Sequence, residues 1–222
     1  MKYFEKDYVD FFEELSQYNN KEWFDLNRKR YEKNIKKPFT YFITDIIAEI
    51  ALDDPHITIQ AKDAMFRINR DIRFSNDKSP YKLHMAAVIT RGTKKDHTTP
   101  GFYIQLGNEG ISLAGGIYES DKDSIQSFRT YIANNLEEFK EVYSDKIFTK
   151  HFKELKGKKN KIIPKEFKEL IKSEPLIANK QLYYWTDLDK KLIYSDNLKD
   201  IIMEYYYSAK NVKDFLTRAL GK

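Results

Sequence analysis

The chain has 222 residues, 41% hydrophobic and 15% aromatic, which excludes a disordered chain and fits one large domain or two small ones. Zero cysteines exclude disulfides, Cys-ligated zinc, iron–sulfur clusters and thiol nucleophiles together. The net charge of +5 is unevenly spread: residues 1–149 carry −2 and residues 150–222 carry +7, with seven lysines and one glutamate from Lys150 to Lys165.

The first apolar stretch contains acids and no small-residue cleavage pattern, and the most apolar run, Phe39 to Leu52, is broken by Asp45 and Glu49. A cytoplasmic protein without a membrane partner is therefore expected. Helices are expected over about 7–52. Asp7 can cap the first, whose apolar positions Tyr8, Phe11, Phe12 and Leu15 share a face. Asn20 can cap the second, with Trp23, Phe24 and Tyr31 in its stripe. Asn27 falls in that stripe, which predicts a buried amide bonded to the 67–82 segment. Pro38 suits the first turn of a third helix.

The middle changes period, and a sheet of about four antiparallel strands is expected over about 64–118. Residues 64–74 alternate as a first strand, with Phe66, Ile68, Ile72 and Phe74 on one side and a break near 69–71. A strand over 84–90 and a hairpin around the GNEG turn come next. Gly115 and Gly116, inside the last strand, imply a bulge or a close approach by another group. Helices return over about 121–220, and the last one is capped by Ser195 and ended by Gly221. Helices, strands and helices again form an α+β pattern, read as a single domain over 1–222.

Chemistry-bearing motifs are few. His56, His84, His97 and His151 share no metal-ligand spacing, so no metal site is expected, and no phosphate-binding glycine motif names a cofactor. Two S-x-x-K tetrads (Ser75–Lys78 and Ser79–Lys82) match chance expectation, and the S-D-N at Ser195 is better read as a helix cap. The arginines are informative. Three of only eight, Arg67, Arg70 and Arg73, lie within seven residues of a lysine-rich chain, with Lys78 and Lys82 shortly after them. Arginine offers a fixed, always-charged fork for carboxylate or phosphate. Ser75 and Tyr81 add hydroxyls, and Asp71 and Asp77 can orient the guanidiniums. Asp71 is also the candidate acid/base should catalysis occur.

FRINRDIRFSNDKSPYK (66–82) closely resembles the signature of the conserved hypothetical family catalogued as domain of unknown function 2461. NNKEWFDLNRKRY (19–31) resembles that family's first motif. GFYIQLGNEGISLAGGIY, with Gly115 and Gly116, and Arg129 in SFRTYI resemble its later parts. The resemblance covers most of the chain, is less clear after about Lys150, and implies no activity, substrate or cofactor.

The expectation is a protein that binds an anionic small molecule, phosphorylated or carboxylated, at 67–82, through Arg67, Arg70, Arg73, Ser75, Lys78, Tyr81 and Lys82. Asn27, Asp77, Gly115, Gly116 and Arg129 support the site. Two alternatives stand beside it. A nucleic-acid binder would join the cluster to the lysine run 150–165. A structural or partner-binding protein would use the arginines in an internal ion-pair network.

Overall fold

The computed structural model describes residues 1–95 and 99–221, so His97 lies outside the described residues. Three helices, α1 (Asp7–Gln17), α2 (Lys21–Leu26) and the single turn α3 (Arg28–Arg30), lead through a π turn (Tyr31–Lys36) into α4 (Lys37–Asp53). The short α5 (Ala61–Ala64) precedes β1 (His84–Ile89), β2 (Gly101–Gly107) and β3 (Gly110–Ile117). Then come α6 (Lys122–Asn134), α7 (Leu136–Ser144), α8 (Lys146–Phe152), β4 (Leu182–Leu188), α9 (Leu198–Ser208) and α10 (Lys210–Ala219). The strands form one antiparallel sheet in the order β1-β2-β3-β4, and the fold is α+β. Among the described residues no helix is long and apolar enough to cross a membrane. The chain divides into two compact units: Met1–Ile89, Tyr103–Leu113 and Asp187–Met203 form the first, and Thr90–Phe102, Ala114–Thr186 and Glu204–Lys222 the second.

In the first unit, the α1 face of Tyr8, Phe11, Phe12 and Leu15 is buried, as the spacing predicts. It packs on the π turn and, through Phe4, on Phe42 of α4; Phe11 meets Trp23, Phe24 and Tyr31. Asn20 caps α2, accepting from the Trp23 N–H at 2.9 Å. Asp7 does not cap α1. Its carboxylate is taken by Arg30 Nε at 2.8 Å and Asn34 Nδ2 at 2.8 Å, while Arg30 also reaches Glu14.

The expected first strand over 64–74 is not formed. Only isolated bridges, Met65↔Ala87 and Asn69↔Tyr81, tie this stretch to the chain returning through 81–87. The reason is local competition for N–H groups. Asp71 Oδ1 accepts from the Arg73 N–H, and Asp77 Oδ1 accepts from that of Ser79, which draws the chain into turns instead of a ladder. Phe74, expected on the core side, is 96% exposed. The fourth strand is β4 at 182–188, which no clean alternation announces: its inward positions are Leu182 and Tyr184 within an aromatic run.

In the second unit, α6, α7 and α10 pack through Phe128, Ile132, Phe139, Val212, Phe215 and Leu216, all buried. The single last helix expected over about 196–220 is two. The Ser208 hydroxyl donates to the Tyr205 carbonyl at 2.8 Å, and Ala209 leaves helical geometry. Phe148 and Phe152 of α8 enclose the fully buried Tyr184 ring. Gly115 and Gly116 answer to close approach. A Cβ on Gly115 would strike the Tyr184 ring, and one on Gly116 would strike the Leu182 carbonyl, with Gly116 at φ +93°.

Gly116→Ala is therefore expected to destabilise the protein. Backbone strain alone is on the order of 1–3 kcal/mol, and displacement of β4 adds to it. Denaturant unfolding measures this, and a loss below about 0.5 kcal/mol would show that the strand pair tolerates the side chain.

Candidate functional site

The site lies in the first unit, in residues 66–84. Here the chain leaves α5, runs beside β1, loops out and returns. Three backbone hydrogen bonds hold the base of the loop: Phe66 N to Ala86 O (2.8 Å), Lys82 N to Ile68 O (2.8 Å) and Arg70 N to Pro80 O (2.9 Å). Ile68, buried, and Tyr81, 5% exposed, pin it to the core. The Tyr81 ring stacks on Phe24 at 4.1 Å and 17°. Asn19 clamps the Tyr81 backbone from the end of α1: Nδ2 donates to the Tyr81 carbonyl (2.9 Å) and Oδ1 accepts from its N–H (3.1 Å).

Asn27 does not fulfil the role expected of it. It is half-buried, and its amide donates to the Trp23 carbonyl one turn back (3.0 Å) while closing α2. The stripe position is real, but the Trp23 carbonyl at the end of α2, which already accepts the Asn27 N–H, has a second lone pair within reach, and it captures the amide. Asn19 does what was expected of Asn27. Its sequence signal is the Asn19-Asn20 doublet, in which only the second residue is needed as a cap.

The arginines divide. Arg70 pairs with Asp77 and reaches the Ser75 hydroxyl at 3.5 Å. Arg73 grips Asp71 with two parallel bonds, Nε to Oδ1 at 3.0 Å and Nη2 to Oδ2 at 2.7 Å. Arg67 is exposed and has no side-chain partner among the described residues. Next to it, Lys82 Nζ donates to the Arg67 carbonyl at 3.1 Å and lies 5.4 Å from the centre of the Phe66 ring. Lys78 Nζ donates to the Ile72 carbonyl at 3.0 Å. Neither lysine has a carboxylate partner among the described residues.

Electrostatics reflect this geometry. Hydrogen bonds from the Arg73 side chain and N–H, helped by the charges of Arg73 and Arg67, hold Asp71 down to about 2. The Ser79 hydroxyl and N–H, then Arg70, hold Asp77 well below the usual carboxylate range. Both acids are ionised at neutral pH. A carboxylate so acidic is a weak base, and Asp71 is better placed to fix Arg73 than to move protons. Lys82 is lowered by burial first and by the Arg67 charge second. His84, half-buried at the start of β1, is pushed down to about 4 by burial and then by Lys82.

Gly115, Gly116 and Arg129 belong to the second unit. Arg129, 3% exposed, donates Nε to the Ile177 carbonyl at 2.8 Å and Nη2 to the Ala178 and Asn179 carbonyls at 3.3 Å each. Burial lowers its affinity for the proton. In the lysine run, the backbones of Lys156 and Lys159 bridge to Tyr183 and Asn179. Its seven lysines have no carboxylate partner among the described residues, and all but the half-buried Lys156 are exposed.

Asn19→Ala would leave the Tyr81 backbone groups without their partner. A loss of about 1–3 kcal/mol is expected, with Asn19→Asp intermediate because it restores only the acceptor. Urea unfolding checks this, and wild-type stability of Asn19→Ala would remove the clamp from the account.

The model of the family described as conserved hypothetical protein (DUF2461) matches residues 7–215, a span that includes Asn19, the whole 66–84 loop, the glycine pair and Arg129. No curated protein and no solved structure matches the chain. The match spans nearly the whole chain, and the chain belongs to the DUF2461 family.

Proposed function

We propose that the 66–84 loop binds an anionic small molecule, phosphorylated or carboxylated, through Arg67 and Lys82, with Lys78 as an additional donor. One observation carries the reading. The loop's two acids are committed to Arg70 and Arg73, so two adjacent cations remain without a carboxylate, one of them half-buried. A partly desolvated charge beside a like charge costs free energy until a counterion arrives. A phosphate or carboxylate touching both would gain charge-assisted hydrogen bonds and remove that repulsion. Arg70, Arg73, Asp71, Asp77 and Ser75 then serve as the scaffold that keeps the loop in shape, and Tyr81 as its anchor. The reading is of binding, and the committed state of Asp71 gives no support to a proton-transfer role.

In a thermal-shift titration with pyrophosphate and citrate, the wild type should gain about 2.7 kcal/mol at 100-fold the dissociation constant. Arg67→Ala should lose that gain while its ligand-free stability stays within about 0.5 kcal/mol of wild type, as at other exposed positions. A gain undiminished by Arg67→Ala would sink the reading. Salt-sensitive binding of an oligonucleotide that survives Arg67→Ala but not neutralisation of Lys156, Lys158 and Lys159 would favour the lysine run instead.

His84 supplies a pH signature. Its folded-state value near 4 lies below its ordinary 6.5, so the unfolded chain takes up the proton first as pH falls. Stability linked to His84 is complete above about pH 6.5 and is lost between about 6.5 and 4. Losses linked to Asp71 and Asp77 begin only below their ordinary value of 3.8. His84→Gln should therefore flatten the stability curve between pH 6.5 and 4.5. Identical slopes for variant and wild type in denaturant melts across that range would contradict the assignment.

A further inference from the structure

Resting on the anion-binding reading above, we infer that the anion is a nucleoside phosphate whose base stacks on Phe74. Of the fifteen phenylalanines in the chain, thirteen are buried, Phe66 is half-buried and Phe74 alone is exposed, at 96%. Slack in the loop does not explain this. The Arg70–Asp77 pair, the Ser79–Asp77 bonds and the Lys78–Ile72 bond clamp the loop on both sides of the ring. A constrained loop that presents a large apolar ring to water forgoes burial that every other phenylalanine obtains, at least in part.

The surroundings of the ring select the ligand. Arg73, its charge already matched by Asp71, stands 5.8 Å from the ring centre and braces it. Ser75, Asn76, Asp77 and Lys78 come directly after it, so the ring is a single flat platform within polar chain. A platform of this kind suits one π-face, whereas a protein partner needs contiguous apolar area. The free cations belong to the same network. The Arg67 charge acts on Asp71, Asp71 holds Arg73, and Arg73 lies over Phe74, while Lys78 is fastened to the carbonyl two residues before the ring. An aromatic face on the same short loop as cations without a carboxylate is the complement of a base carrying phosphate. Mononucleotides and the 5′ end of a single strand share that chemistry.

Calorimetric titration of the full chain with ATP and with tripolyphosphate, both without metal, tests the inference. Wild type should bind ATP roughly ten-fold more tightly, the order of one base–aromatic stack. Phe74→Ala should bring ATP down to tripolyphosphate and leave tripolyphosphate unchanged. Phe74→Trp should keep the preference, with its added fluorescence quenched by ATP and not by tripolyphosphate. Equal affinities in wild type, or an ATP preference that survives Phe74→Ala, overturn the stacking inference and leave the anion reading standing. No binding of either compound to wild type at low salt overturns both. A 5′-phosphorylated pentanucleotide separates the two sources: a Phe74-dependent affinity above that of ATP identifies a strand end, and one below it a free nucleotide.

Discussion

An outer strand of a sheet exposes a row of backbone donors and acceptors that must be covered or made unattractive to other chains. β1 is such a strand, and Met65 and Phe66 cover part of it through the Met65↔Ala87 bridge and the bond from Phe66 N to Ala86 O, while residues 68–70 pair with the chain just before it. The cover is irregular. Three residues of the returning chain, 83–85, lie between two bonds that only Arg67 separates on the outgoing side, because Phe66 pairs with Ala86 and Ile68 with Lys82. That mismatch sets Arg67 and Lys82 side by side at the base of the loop, on backbone that the sheet holds fixed. Everything proposed for the site depends on this placement.

Charge matching inside the loop then decides which cations stay available. The Arg73–Asp71 pair is exposed on both sides, where solvent screens it, and contributes little to stability. Its importance is geometric. Asp71 and Asp77 each hold a guanidinium and a backbone N–H at once, so two residues close two turns and neutralise two arginines. The ion-pair reading of the arginine cluster thus holds for two of its three arginines. Arg70 and Arg73 form the network, and Arg67 is left over.

The sequence was legible where a short-range rule has no competitor. The apolar faces of α1 and α4, the Asn20 cap and the GNEG hairpin come from spacing alone, and the paired glycines announced a close approach whose partners, Leu182 and Tyr184, only the structure could name. Legibility failed where one side chain had two uses. Asp7 could cap a helix or pair with Arg30, and a bidentate partner 23 residues away prevailed. Asn27 could reach the loop or its own helix end, and the nearer carbonyl prevailed. Alternation from Phe66 to Phe74 reads as a strand until Asp71 and Asp77 are allowed to take N–H groups, an option that hydrophobic period does not encode. β4 was hidden because its two inward residues lie among aromatics that do not alternate.

The other outer strand gives an internal comparison. β4 is covered as well, by an irregular cationic stretch whose Lys156 and Lys159 bridge to Tyr183 and Asn179. Lysines along a sheet edge are a common means of blocking further pairing, and an exposed, hydrated ammonium needs no partner to be stable. That accounts for the lysine run without a ligand. The same account does not extend to 66–82. Edge protection needs neither arginine forks matched one to one with acids, nor a half-buried lysine set against an unmatched guanidinium, nor an exposed phenylalanine, a residue that invites association. The two edges meet one requirement by one device, and the features left over after that requirement is met are confined to the first unit. Those surplus features are what edge protection leaves unexplained.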